Sequence, residues 1–118
     1  MRTILTVDVV LRPDENLPID VAEQIANRAG AIFDSPPGET WVKMRAVDAF
    51  AENEADETHY PVLVSLMMTH IPPAADLAIY VQDLGYAVAR VTNRRPEAIH
   101  IIVEPKGAGR FALGGQMA

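Results

Sequence analysis

Short apolar segments punctuated by proline and glycine predict four β-strands. Residues 3–10 and 41–47 are rich in β-branched or alternating apolar side chains, both of which favour extended structure. Residues 60–68 are almost continuously apolar, which is typical of a strand covered on both faces. Residues 99–104 form a shorter segment of the same kind. The chain therefore contains two pairs of predicted strands.

A helix is predicted between the strands of each pair. Pro18 suits the first turn of one helix, and the stretch Asp34–Gly38 ends it. Pro72 and Pro73 open the second helix, which ends at Asn93–Pro96. The apolar positions recur at helical spacing in both: Val21, Ile25, Ala29 and Ile32 in the first, and Leu77, Tyr80, Val81, Leu84, Val88 and Val91 in the second.

The order strand, helix, strand occurs twice and predicts an α/β (α+β) fold of two consecutive β-α-β units. Strands that flank one helix are usually parallel, with a right-handed crossover. A four-stranded sheet with both helices packed on one face follows. The other sheet face has no cover within one chain, and its apolar side chains predict burial against another subunit.

Length and composition are those of one globular domain. The 118 residues are expected to form a single domain, 1–118, with halves at about 3–48 and 60–105 and a tail at 106–118. There is no cysteine, so disulfides and thiolate chemistry are excluded. The net charge of −6 argues against nucleic-acid binding. The start of the chain is too polar for a signal peptide or a membrane span, and we expect a cytoplasmic protein.

The segment from Asp48 to His59 is rich in acidic side chains and has no lysine or arginine. Runs of like charge are usually solvated, so this segment is predicted to be an exposed loop between the two halves. The composition of this segment does not indicate a function for it.

The end of the chain carries a family resemblance. Residues 96–105, PEAIHIIVEP, followed by residues 107–115, GAGRFALGG, resemble the last strand and tail of the tautomerase superfamily, of the macrophage migration inhibitory factor (MIF) and 4-oxalocrotonate tautomerase types. The resemblance extends more weakly over the whole chain. It implies a homotrimer of MIF-like subunits whose Gly-rich tail reaches a neighbouring subunit. Phe111 and Leu113 give such a tail apolar side chains to bury.

The resemblance also implies a chemistry and shows a gap in it. The superfamily tautomerises or isomerises small 2-oxo acids with an amino-terminal proline, exposed by removal of the initiator methionine, as the base. This chain begins Met1-Arg2-Thr3 and has no proline there. Pro13 cannot substitute, because the nitrogen of an internal proline is an amide. If Met1 is retained, its primary amine could act as a weak general base.

Cationic side chains supply the predicted substrate-binding groups. Lys43 and Arg45, two residues apart on one strand face, could both address one carboxylate. Arg2 lies at the reactive end of the expected pocket, Arg110 could enter a neighbour's pocket, and His100 could polarise a carbonyl. Alternatively, Lys43 and Arg45 form an exposed salt-bridged edge, Arg110 forms an intersubunit ion pair, and His100 is a structural histidine. The histidines lack metal-ligand spacing, so no metal site is predicted, and no cofactor is expected.

The sequence thus leaves three functional hypotheses open. The first is proton transfer on a small 2-oxo acid in an intersubunit pocket formed by Met1, Arg2, Lys43, His100 and Arg110. The second is a catalytically inactive homotrimer that binds a ligand or a partner. The third is a duplicate that pairs with an active paralogue as a heteromer.

Overall fold

A computed structural model describes all residues, 1–118, and its long elements form two consecutive strand–helix–strand units. The first unit consists of β1 (Thr3–Val10), α1 (Val21–Ile32) and β2 (Thr40–Val47). The second consists of β3 (Val62–Met68), α2 (Ala74–Thr92) and β4 (Ile99–Val103), with a 3₁₀ turn at Pro96–Ala98 before β4. Two short strands, β5 (Ala112–Leu113) and β6 (Gln116–Met117), follow.

The four long strands form one mixed sheet in the order β2-β1-β3-β4. Each unit contributes a parallel pair, β1 with β2 and β3 with β4, as the β-α-β pattern predicts. The two units meet at the centre, where β1 and β3 are antiparallel and Thr3 lies opposite Met68. The predicted fold class is confirmed.

One face of the sheet packs against both helices and forms the core. Alternate residues of the two central strands are fully buried there: Leu5, Val7, Val9, Val62, Val64, Leu66 and Met68. Ile25 of α1 and Leu84 of α2 are buried in the same cluster, and the two helices contact each other. Both helices therefore lie on one face, as predicted.

The intervening residues form the opposite sheet face, which neither helix covers. Its cross-strand rows mix apolar and polar side chains: Trp41–Ile4–Met67, Lys43–Thr6–Ser65–Ile102 and Arg45–Asp8–Leu63–His100. Trp41 is 47% exposed and Ile102 is 64% exposed. Large apolar side chains on an uncovered face are typical of a surface that another subunit buries.

Two element boundaries differ by two or more residues from those expected from the sequence, whereas β2 and β4 differ by one residue at one end. Helix α1 begins at Val21 rather than near Pro18, because Pro18–Asp20 form a turn in which the Pro18 carbonyl accepts a hydrogen bond from the Val21 amide at 3.3 Å. Strand β3 begins at Val62 rather than Tyr60. Pro61 has no N–H and takes part only through its carbonyl, which accepts from the Val10 amide.

The tail forms a hairpin that the sequence analysis did not predict. Gly114 and Gly115 join β5 to β6 with φ values of 56° and 89°, the positive values that a type I′ hairpin turn requires. The base of the tail is attached to its own sheet, since the Gly107 and Ala108 amides donate to the carbonyls of Met68 and Thr69. The tail thus begins beside the Met68 end of β3.

Arg94 fastens the C-terminal end of α2 to the rest of the fold. Its side chain is 1% exposed and donates to both carboxylate oxygens of Glu15, at 2.7 and 2.8 Å. It also donates to the backbone carbonyls of Val10, Tyr60 and Thr92. One guanidinium therefore links the end of β1, the loop before β3 and the end of α2.

The left-handed residue that ends α2 gives a first stability prediction. Asn93 has φ 55°, and its amide donates to the Arg90 carbonyl. Asparagine tolerates this conformation better than alanine does. We expect Asn93→Ala to lower the free energy of unfolding by about 1 kcal/mol, measured by urea denaturation. Asn93→Gly is the control and should be close to wild type. Equal loss in both variants would mean that the amide side chain, not the backbone conformation, is responsible.

Candidate functional site

The amino terminus is held in place at one end of the sheet. The hydroxyl of Ser35, in the turn after α1, donates to the Met1 carbonyl at 2.7 Å. The Met1 ammonium lies 3.8 Å from the carboxylate of Glu39, and the Met1 side chain packs against the core. The amine therefore occupies a defined position, and its nearest ionic neighbour is an acid.

Arg2 is positioned beside this amine. Its backbone carbonyl accepts hydrogen bonds from the amide and the hydroxyl of Thr69, both at 3.2 Å. Its guanidinium carbon lies 5.2 Å from the ring centroid of Trp41, within cation–π distance. Trp41 in turn donates its indole N–H to the Gly38 carbonyl at 2.8 Å. A cation and a primary amine thus stand on adjacent residues at the surface.

The tail brings Arg110 toward the same end of the sheet. Gly107 is buried there, and a Cβ at its position would lie 3.2 Å from the Met67 sulfur and from the Phe111 ring. This close approach explains why position 107 is a glycine, because a larger side chain would crowd Met67 and Phe111. The Arg110 amide donates to the Gly107 carbonyl, and the Arg110 side chain is exposed. Met1, Arg2 and Arg110 are the predicted site residues that one chain gathers at this end.

Lys43 and Arg45 share a strand face, as the alternation predicts, but their surroundings differ. Lys43 is exposed and lies beside Thr6 in the register. Arg45 donates to both oxygens of Asp8 on the neighbouring strand, at 2.7 and 3.0 Å. The hydrogen bond to Asp8 raises the pKa of Arg45 above its ordinary value. Arg45 is therefore already engaged by a carboxylate of its own chain, whereas Lys43 is available to a ligand.

His100 lies far from Met1 within one chain. His100 belongs to the outer strand β4 and pairs with Leu63 of β3. Leu63 lies five residues before Met68, which is about 17 Å along β3. His100 is also about 14 Å from Arg45, three strand spacings across the sheet. The predicted site residues are consequently divided: Met1, Arg2 and Arg110 lie at one end of the sheet and His100 lies at the other, which we call the His100 end. They could form one pocket only between subunits.

The His100 end contains a cavity of about 560 Å³. It lies between β4, the turn before β4 and the acidic loop 48–59, and it is lined by Phe50, Glu52, His59, Pro61, Leu63, Arg95, Glu97, Ala98 and His100. The loop is exposed, as expected from its charge, but three of its residues contribute to this cavity. The sequence analysis missed Phe50, Glu52 and His59, because no local pattern indicates where a loop folds back.

Glu52 orients the imidazole of His59 at this cavity. The Nδ1 atom of His59 lies 2.7 Å from Glu52 Oε1, and because a carboxylate only accepts, Nδ1–H is the donor. The Nε2 atom lies 3.9 Å from Glu57 Oε2, beyond hydrogen-bond distance. One ring nitrogen is therefore fixed by a carboxylate, and the other has no hydrogen bond within the chain.

Two classes of feature are absent from the structure. No group of three or more histidine, aspartate or glutamate side chains is arranged to hold a metal ion. Neither α1 nor α2 has the length and apolar character that crossing a membrane would require.

Comparison with solved structures identifies the fold. The macrophage migration inhibitory factor of Trichinella spiralis superposes with a TM-score of 0.78 at 14% identity, covering 98% of this chain and 99% of that one. A structure described as the Q0 fused 4-OT wild type symmetric trimer gives 0.78 at 10% identity, with 98% and 94% coverage. Pt0534 inactivated by 2-oxo-3-pentynoate gives 0.74 at 11% identity, with 97% and 95% coverage. No protein-family model and no curated protein sequence matches the chain.

These superpositions span nearly the whole of each chain. The protein is therefore a two-unit mixed α/β protein with both helices on one sheet face. More specifically, it has the tautomerase-superfamily fold, that of the macrophage migration inhibitory factor and 4-oxalocrotonate tautomerase structures. The sequence resemblance in the tail and the structural match agree on this fold.

Proposed function

We propose that the protein is a homotrimeric tautomerase that moves a proton on a small 2-oxo acid, with the Met1 amine as the base. The observation that carries the proposal is a primary amine held at Met1, with the Arg2 cation on the next residue, before the start of β1. An amine at that place could take a proton from the carbon next to a carbonyl, while Arg2 holds the carboxylate. That Pt0534 is inactivated by a 2-oxo acid supports this substrate class.

The trimer part of the proposal is supported by the uncovered sheet face. Its apolar residues, among them Ile4, Trp41, Met67 and Ile102, lie on the face away from both helices, and Trp41 and Ile102 are exposed. A fold neighbour is a symmetric trimer. In a trimer the Met1 and Arg2 end of one subunit would meet the His100 end of the next. Lys43 and Arg110 would then supply further cationic contacts to the substrate.

Glu39 favours a second candidate, a homotrimer that binds ligands without turning them over. The Glu39 carboxylate lies 3.8 Å from the Met1 amine and pairs with it as an ion pair. In this alternative the pocket retains its carboxylate-binding cations but performs no chemistry. A heteromer with an active paralogue would have the same pocket and a different subunit composition.

Blocking the amine tests the catalytic proposal. Lys43 and Lys106 are the only lysines, so in a Lys43→Arg, Lys106→Arg variant Met1 is the sole primary amine. Intact mass first establishes whether Met1 is retained. We expect the variant to ketonise phenylpyruvate enol, and acetylation of Met1 to lower kcat by about 10²-fold or more.

The controls separate the two candidates. Turnover that survives complete acetylation would rule out the amine as base. If the unmodified wild type binds phenylpyruvate but shows no turnover, the binding alternative is favoured. In that case Arg2→Pro, with Met1 removed, is expected to gain activity if the pocket is otherwise competent.

A further inference from the structure

Proton transfer between carbon and oxygen is faster when a positioned acid and a positioned base act together, and the proposed pocket has so far been given one such group. In the enol-to-keto direction the carbon gains a proton while the enol oxygen loses one. The Met1 ammonium, which Glu39 attracts at 3.8 Å, can donate to the carbon. A second positioned group would accept the proton from the oxygen more effectively than bulk water does.

The geometry points to His59, oriented by Glu52 at the cavity of the His100 end, as that second proton-transfer residue, and we propose this role for it. The assignment rests on the proposed intersubunit tautomerase function. The Nδ1–H of His59 donates to Glu52 at 2.7 Å, which fixes the ring and leaves Nε2 as the acceptor. A carboxylate on Nδ1 also stabilises the imidazolium that forms once Nε2 takes a proton.

The cavity wall suits a substrate with an apolar substituent. Phe50, Pro61 and Leu63 provide apolar surface beside the ring of His59. The charged or titratable groups facing this ring are Glu52 and Glu57 of its own loop and, on the cavity wall, Arg95, Glu97 and His100. Arg95 lies 3.6 Å from Glu97, so the two largely compensate each other. The ligand class is therefore a small 2-oxo acid with an aryl or alkyl group, such as phenylpyruvate.

The step is balanced. The enol O–H bond breaks, its proton goes to His59 Nε2, and its electron pair forms the carbonyl π bond. The electron pair of the carbon–carbon double bond takes a proton from the Met1 ammonium and becomes the new C–H bond. His59 then carries the proton from the enol oxygen and Met1 is left as the neutral amine, and proton exchange with water restores both groups. No oxidant or cofactor is required.

The test combines a truncation with chemical rescue. We expect His59→Ala to lower kcat for phenylpyruvate ketonisation by about 10²-fold, and added imidazole to restore part of it. His70→Ala is the matched control, because His70 is also an exposed histidine but lies outside the cavity; it should retain wild-type kcat and show no response to imidazole. Glu52→Gln, which keeps the size of the side chain and removes its charge, should cause a smaller loss.

Each result decides the assignment separately from the proposed function. If acetylation of Met1 abolishes turnover but His59→Ala retains it within twofold, the tautomerase proposal stands and His59 is excluded. A folded His59→Ala protein, verified by circular dichroism, that loses turnover without imidazole rescue also overturns the role. If His59→Ala does not fold, an unchanged kcat in Glu52→Gln is the overturning result. Absence of turnover in the wild type overturns the tautomerase proposal, and the role of His59 with it.

Discussion

Arg94→Met is expected to lower the free energy of unfolding by about 3–5 kcal/mol, the usual result of removing one partner from a buried ion pair. The guanidinium of Arg94 is 1% exposed and forms two charge-assisted bonds with Glu15. Methionine fills a similar volume but donates nothing. The carbonyls of Val10, Tyr60 and Thr92 would also lose their guanidinium donor.

The adjacent residue provides the matched control for this variant. Arg95 is 91% exposed, and its contact with Glu97 at 3.6 Å is a surface pair. Arg95→Met should therefore change the free energy of unfolding by less than about 0.5 kcal/mol in the same urea titration. Equal stability in the two variants would contradict the view that Arg94 fastens α2 to the sheet.

The same ion pair predicts a pH dependence. The hydrogen bond from Arg94 holds the pKa of Glu15 below its ordinary value of 4.5, against the opposing effect of desolvation. The folded state therefore favours the ionised carboxylate, and this stabilisation is fully present above about pH 4.5. It is lost as the pH falls below 4.5 and through the lowered pKa. The side chain of Glu15→Gln does not titrate. The free energy of unfolding of this variant should therefore fall less than that of the wild type as the pH is lowered below 4.5.

The long elements were predictable because their signals are local. Helical spacing from Val21 to Ile32, alternation in β2 and the prolines before α2 each lie within one element. The parallel pairing followed from the β-α-β order, and the uncovered sheet face from having two helices and one sheet. The tail resemblance then added the superfamily, which the structural comparison supports at the level of the fold.

The side-chain pairings that fasten the fold and shape the candidate site join residues of different segments, and for that reason the sequence did not reveal them. Arg94 was interpreted only as part of the stop after α2, yet its partner Glu15 lies 79 positions away. The acidic loop was interpreted as solvated, and its exposure agrees, but the pairing of His59 with Glu52 depends on how the loop folds back. Likewise, the alternation in β2 placed Arg45 on the same strand face as Lys43. It could not show that the Arg45 guanidinium is already bonded to Asp8 of the neighbouring strand.

Ile102→Lys is expected to separate the proposed homotrimer into monomers, and this is the second prediction with a large effect. Ile102 belongs to β4, is 64% exposed and lies on the sheet face that the trimer would bury. Three copies of a lysine on that face would each need burial without a partner, because Glu104, just after β4, is already bonded to Ser65 at 2.8 Å. Light scattering at micromolar concentration should therefore change from the mass of three subunits to that of one.

The helix side of the molecule supplies the control for this substitution. Ile79 of α2 is 56% exposed, similar to Ile102, but it belongs to the helical layer on the other side of the sheet. Ile79→Lys introduces the same charge at similar exposure and should leave the trimer intact. If both variants remain trimeric, the sheet face is not the interface. A monomeric wild type would remove the basis for an intersubunit pocket, because within one chain Met1 and His100 lie at opposite ends of the sheet.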